Sequence, residues 1–138
     1  MRATYGAHTV TRLTAHLVWA TRGRNRWLDP SLDERLSARI GERCIALGCK
    51  ALAVGNASDH VHVLVEFGAA ISIASLAHHL KGASSRALTL QLGSALRWQA
   101  GYYAETAGDI ETLVAYVRGQ REHHSRTEQR EAWESAIV

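Results

Sequence analysis

The sequence predicts an α+β domain of ferredoxin-like pattern, β-α-β-β-α-β: an antiparallel sheet with two helices on one face, followed by an added C-terminal helix. Three observations carry this. Two long stretches, 29–48 and 72–93, repeat apolar residues at helical spacing. Short runs that read as strands stand around them in the order the pattern requires. The third run, Asp59-His60-Val61-His62-Val63-Leu64-Val65, has one apolar side and one side bearing two histidines, because side chains at i and i+2 share a face of a strand.

The chain has 138 residues, a length that fits one domain. We expect a single unit over 1–138, with a core at about 13–124, a loosely attached arm at 1–12 and a tail at 125–138. Hydrophobic residues make up 46% and charged residues 21%, a balance that supports a core. No apolar run reaches the length of a membrane span, and the N-terminus lacks the apolar stretch of a signal peptide, so the expectation is a cytoplasmic protein. Cys44 and Cys49 read as small apolar fillers rather than a disulfide or metal pair. A net charge of +3 permits nucleic-acid binding without requiring it. The eight histidines are more unusual, since most fall in pairs: 60 and 62, 78 and 79, 123 and 124.

The first strand is expected over 14–21, with Ala15, Leu17 and Trp19 alternating with His16, Val18 and Ala20. A basic loop follows, Arg22-Gly23-Arg24-Asn25-Arg26-Trp27. Asp29-Pro30 opens the first helix, which buries Leu32, Leu36, Ile40, Cys44 and Leu47 and stops at Gly48. The second strand covers 50–54, Gly55 to Asp59 turn the chain, and the third strand covers 60–67. Ser72 or Ser75 starts the second helix. Its expected buried stripe is Ile73, Leu76, Leu80, Ala83, Ala87 and Leu90; the other side carries His78, Lys81, Ser84, Ser85 and Arg86. A fourth strand over 100–106 precedes a last helix, capped at Gly108-Asp109 and running from 110 to about 123 on a stripe of Ile110, Leu113, Val114 and Val117.

In this topology the third strand is central and lies beside the first. Val61, Val63, Val65 and Phe67 then face the helices, and His60 and His62 face the open side of the sheet, where His16 is a neighbour. The last helix is the element available to cover that side. It carries Tyr116 and Gln120 four apart, on one face. Two imidazole nitrogens and one amide oxygen make three ligands for a divalent cation and leave positions open for a substrate. Such a cation would hold the non-bridging oxygens of a phosphodiester, and a tyrosine beside it could attack and form a phosphotyrosine.

These residues also carry a resemblance. The Asp59 to Val65 segment resembles the histidine-hydrophobic-histidine (HUH) motif of single-strand DNA tyrosine transposases. Tyr116-Val117-Arg118-Gly119-Gln120, followed by Glu122-His123-His124, resembles their catalytic helix. Leu80-Lys81-Gly82-Ala83-Ser84-Ser85, Trp98-Gln99-x-Gly101-Tyr102 and His16-Leu17-Val18-Trp19 are similar to other segments of the group. The similarity runs from about 16 to 124 and is nearest to REP-associated and insertion-sequence transposases with one tyrosine. Two departures stand out: Ser58 where relatives commonly have proline, and Tyr103-Ala104-Glu105 after Gly101-Tyr102.

The resemblance implies Mg or Mn at His60, His62 and Gln120, with Tyr116 as nucleophile. It implies cleavage and transfer of single-stranded or hairpin DNA through a 5′-phosphotyrosine, as in DNA transposition, by a homodimer whose site can be shared between subunits. A domesticated hairpin-binding regulator that keeps the fold without transposition is an alternative, and a replication or conjugation nicking enzyme is another. Arg22, Arg24, Arg26, Lys81, Arg86, His123 and His124 are candidate DNA contacts, each with a plainer reading as a solvated or helix-capping charge. His16 and Asp59 are candidate partners of the metal-binding histidines, Asp59 equally a turn former.

Overall fold

The computed structural model describes residues 4–5 and 8–121. A short hairpin, β1 (Thr4–Tyr5) with β2 (Val10–Thr11), leads into β3 (Leu13–Ala20). Within the arm expected at 1–12, this pairing of 4–5 with 10–11 lies outside the main sheet. Then come α1 (Asp33–Ala46), β4 (Lys50–Asn56), β5 (His60–Phe67), α2 (Ile73–Leu92), β6 (Tyr103–Thr106) and α3 (Ile110–Arg118). The four long-range strands form one antiparallel sheet in the order β4-β5-β3-β6. The expected α+β architecture is present: β5 is central and lies beside β3.

Strand alternation builds two faces. Leu17 and Trp19 of β3 and Val61, Val63 and Val65 of β5 are buried against Leu36, Ile40 and Cys44 of α1 and Leu76, Leu80 and Leu88 of α2. On the other face α3 packs Val117 onto Ala53 and Leu64, with Leu113, Val114 and Tyr116 around them. The histidine face is therefore covered: His60 and His62 are both 0% exposed.

Local chemistry sets the helix ends. Asp29 caps a 3-10 turn, Pro30–Leu32, by accepting from the Ser31 N–H, and α1 proper begins at Asp33. Of the two candidate serines, Ser72 starts α2, accepting from the Ser75 N–H at 3.0 Å. Gly93, at φ 72°, ends it. Asp109 caps α3 through the Thr112 N–H. Both cysteines are free and buried, and burial, helped by its neighbour Cys49, pushes the Cys44 thiol up to about 12.

Three expectations change. The buried stripe of α2 follows Leu76, Leu80, Ser84 and Leu88, so Ser84 is buried and Leu90 is 76% exposed. A helix of 3.6 residues per turn drifts away from the seven-residue spacing that singled out Ala83 and Leu90. Ser84 tolerates burial because its hydroxyl donates to the Leu80 carbonyl at 2.7 Å. Next, β4 runs through Gly55 to Asn56, where a turn was expected. Finally, α3 stops at Gly119, and helical backbone resumes at Gln120 and Arg121. The tail 125–138 and His123 and His124 lie outside the described residues.

Candidate functional site: two histidines under the tyrosine helix

The site lies where α3 crosses the His60 end of β5. Gly55, directly across from His62 on β4, makes the crossing possible. A Cβ there would stand 1.7 Å from the Val117 carbonyl oxygen, so only glycine lets the α3 backbone come this close. Beyond the helix, Arg121 clamps the chain down. Its guanidinium donates to both Asp33 oxygens, at 3.1 and 2.8 Å, and to the Leu28 carbonyl at 2.9 Å. Asn56 donates to the same Asp33 carboxylate at 3.0 Å. Gln120 sits between the crossing and the clamp and is 0% exposed.

The hydrogen bonds orient both imidazoles. His60 Nδ1 lies 2.8 Å from Asp59 Oδ1, and Arg24 donates to the other Asp59 oxygen at 3.0 Å. Burial works against the Asp59 carboxylate. The hydrogen bonds from His60 and Arg24, with their charges, outweigh burial and bring its pKa from 3.8 down to about 2. An ionised carboxylate only accepts, so Nδ1 of His60 carries a hydrogen and donates to it, which leaves Nε2 as the nitrogen that can present a lone pair. That nitrogen faces the Gln120 carboxamide oxygen at 3.4 Å, while the amide nitrogen donates to the Tyr116 carbonyl at 2.9 Å.

His62 is oriented by a longer chain. Glu105, opposite His16 in the β3–β6 register, lies 3.2 Å from His16 Nδ1. His16 Nε2 is 2.7 Å from His62 Nδ1. With the Glu105 carboxylate accepting, His16 accepts in turn from His62 Nδ1–H, and His62 also presents Nε2. Both rings then show the same nitrogen, each with its other nitrogen held by a partner, the arrangement usual for metal-ligating histidines. The two rings lie 5.1 Å apart. Among the described residues no group of three or more His, Cys, Asp or Glu side chains forms a metal cluster, so the third donor available here is the Gln120 oxygen. Two imidazoles and a carboxamide suit a divalent cation with open positions. The half-buried Tyr116 ring stands edge-on to His62 at 5.6 Å and to His16 at 6.3 Å.

The site residues expected from the sequence divide clearly. His60, His62, Gln120, Tyr116, His16 and Asp59 come together in one chain. Arg24 joins them through Asp59 rather than facing solvent. Arg22 and Arg26 are exposed on the loop, and Arg86 is exposed on α2. Lys81 is turned inward: its amine donates to the Gln99 and Gly101 carbonyls at 2.8 and 2.9 Å, and burial lowers its pKa. Glu105, Arg121, Asp33, Asn56 and Gly55 were not singled out. For Glu105 the strand alternation held a signal, since the register puts it against His16; the Arg121–Asp33 clamp left none.

The Asp59 pair gives a pH expectation. A carboxylate with a depressed folded pKa adds stability above its unfolded value and loses it as pH falls through the folded one. A shift from 3.8 to about 2 is worth about 2 kcal/mol, present above pH 4 and lost between pH 4 and pH 2. Asp59→Asn should flatten that part of the stability–pH curve, measured by urea unfolding; an unchanged slope would refute the pairing.

Residues 9–120 match the family model described as "Transposase IS200 like". The transposases for insertion sequence element IS200 of Salmonella typhimurium strain LT2 and of Salmonella typhi are each 27% identical over 131 residues, covering 89% of this chain and 86% of theirs. The crystal structure of a putative transposase from Deinococcus radiodurans R1 superposes with a TM-score of 0.71 at 23% identity, covering 86% of this chain and 98% of that one. The REP-associated tyrosine transposase bound to a REP hairpin gives 0.62 at 15% identity, covering 91% and 76%. With the family model spanning most of its length, the chain belongs to the IS200-like transposases.

Proposed function

We propose that this transposase cleaves and rejoins single-stranded DNA, presented beside a hairpin, through a covalent bond to Tyr116. The observation that carries the reading is the buried pair of His60 Nε2 and Gln120 Oε1, 3.4 Å apart beside the helix that bears Tyr116. A divalent cation, Mg or Mn, would be held by His60, His62 and Gln120, and when bound it would draw electron density from the phosphodiester. The family, and the hairpin carried by one structural neighbour, support DNA as substrate.

The chain's own residues then act as follows. The Tyr116 oxygen forms a bond to phosphorus as the bond from phosphorus to the 3′-oxygen breaks. The phenolic proton is given up, and the departing 3′-oxygen takes one up. A free 3′-OH and a 5′-phosphotyrosine result. The phosphodiester energy is kept in the new bond, so a 3′-OH can attack it and rejoin a strand. Asp59 and Arg24 hold His60 in register; Glu105 and His16 do the same for His62. A homodimer belongs to this reading through the family resemblance.

The test is a labelled hairpin with single-stranded flanks, incubated with the protein and Mn and run on a denaturing gel. A slow band that resists denaturant and disappears with protease is expected, and chelator should remove it. Hairpin binding with no covalent species would favour the regulatory alternative.

A further inference from the structure

Arg97 was not among the candidates from the sequence, yet it lies with Arg22 in a cavity of about 520 Å³ lined also by Ser85, Trp98 and Gln99. Among the described residues no carboxylate lines it. Arg24, Arg39, Arg43 and Arg121 are engaged with Asp59, Glu42, His79 and Asp33. By contrast the exposed guanidiniums of Arg22 and Arg97 make no ion pair among the described residues. A second cavity of about 380 Å³ shares Ser85 and Trp98 and is lined by His78, Gly101 and Tyr102, whose side of the molecule is open enough to leave Tyr102 36% exposed.

The walls are fixed in place. The Arg22 N–H donates to the Arg97 carbonyl at 3.0 Å, and Gln99 N–H to the Ala20 carbonyl at 2.8 Å. The Gln99 side chain accepts from Gly23 N–H at 3.1 Å, and Trp98 donates to the Lys81 carbonyl at 2.9 Å. Lys81 in turn holds the Gln99 and Gly101 carbonyls. A preformed site forgoes ordering entropy on binding. It also adjoins the histidines: Ala20 is the cross-strand partner of His60, and the Thr21 N–H donates to the Asp59 carbonyl at 2.9 Å.

We propose that the two cavities around Trp98 form a subsite for the DNA strand flanking the cleaved bond, where Arg22 and Arg97 hold a backbone phosphate and Tyr102 stacks a base. The inference rests on the DNA-cleaving reading above. Two guanidiniums that, among the described residues, have no ion pair and no acid lining their cavity match a polyanion, and an exposed aromatic ring beside a basic groove is how single strands are commonly gripped. Lys81 is then a scaffold residue of the subsite rather than a phosphate contact.

The experiment is fluorescence anisotropy with a labelled hairpin bearing single-stranded flanks, across a salt series without metal. Arg22→Gln/Arg97→Gln should weaken binding about tenfold or more and flatten the slope of log K against log salt by about 0.7 for each phosphate no longer neutralised. Tyr102→Ala should weaken binding about 5- to 100-fold, as expected when one base is left without its stacking partner, and the difference from wild type should vanish when the flank is abasic. Arg35→Ala, an exposed arginine on α1, is the control and should bind as wild type. Wild-type affinity and salt slope in the double variant, with its melting temperature unchanged, would overturn the subsite while leaving Tyr116 chemistry standing. A wild-type protein that binds no DNA would overturn both.

Discussion

Tyr116→Phe is expected to bind hairpin DNA as tightly as wild type and to form no covalent species. The substitution removes one oxygen from a ring that is half buried against His62 and His16. The ring keeps its edge contacts and Val117 its packing, so the fold and the DNA grip are retained. The chemistry has no substitute: without the phenol oxygen no phosphotyrosine forms. A nucleophile removed outright typically costs several powers of ten in rate, so the adduct should drop below detection. A Tyr116→Phe protein that still yields a denaturant-resistant band would take the nucleophile away from this residue.

Gly55→Ala should have the largest effect on structure. Its new Cβ would meet the Val117 carbonyl oxygen at 1.7 Å and the carbonyl carbon at 2.7 Å. Those are backbone atoms inside a helix, unable to swing aside, so α3 must lift from the sheet. Lifting it withdraws Val117 from Ala53 and Leu64 and moves Gln120 away from His60. Overpacking of this kind costs about 3 kcal/mol, a fall in Tm of about 10 °C for a chain of this size. The helix-packed face is untouched, so hydrogen exchange should speed up in α3 while β3 and β5 stay protected. Covalent cleavage should disappear with the docking. An alanine variant with wild-type Tm and cleavage would mean that α3 need not lie so close.

The two predictions act on different parts of one arrangement, and the sequence showed those parts unequally. Alternation in the Asp59 to Val65 run placed two histidines on one face, and helical spacing placed Tyr116 and Gln120 on another. Both are local periodicities, which a sequence displays directly. The element order then set one face over the other. What stayed hidden depends on contacts between distant positions. Gly55 sits in a strand, yet a glycine before Asn56 looks the same as a turn glycine until a helix is seen crossing it. Arg24 looked like one of three loop arginines, and only the fold brings it to Asp59. Arg121 reaches Asp33 across 88 residues of sequence, a pairing no spacing rule contains. Lys81 shows the opposite failure: its place on a polar helix face suggested phosphate, whereas the loop over it supplies two carbonyls. Ser84 reads as surface by type but is buried and satisfied by its own helix.

Covering the histidine face also sharpens what the site is. An open pair of imidazoles would be solvated and free to take either tautomer. Here Asp59 holds one ring through Nδ1, and Glu105 acting through His16 holds the other through Nδ1, while Nε2 of His60 faces Gln120 on the helix end beyond Tyr116. The carboxylates sit one layer behind the rings that would meet a cation, where they raise ligand basicity without occupying a coordination position.

The most direct test of Tyr116 as nucleophile is to locate the covalent bond in the wild-type protein. After reaction with a hairpin substrate in Mn, the trapped complex is digested with nuclease and trypsin and fragmented in a mass spectrometer. Cleavage after Arg97 and Arg118 leaves one peptide holding Tyr102, Tyr103 and Tyr116 together. A phosphonucleotide is expected on Tyr116 and on neither of the others. A phosphonucleotide on Tyr102 or Tyr103, or on a residue outside this peptide, would contradict the assignment.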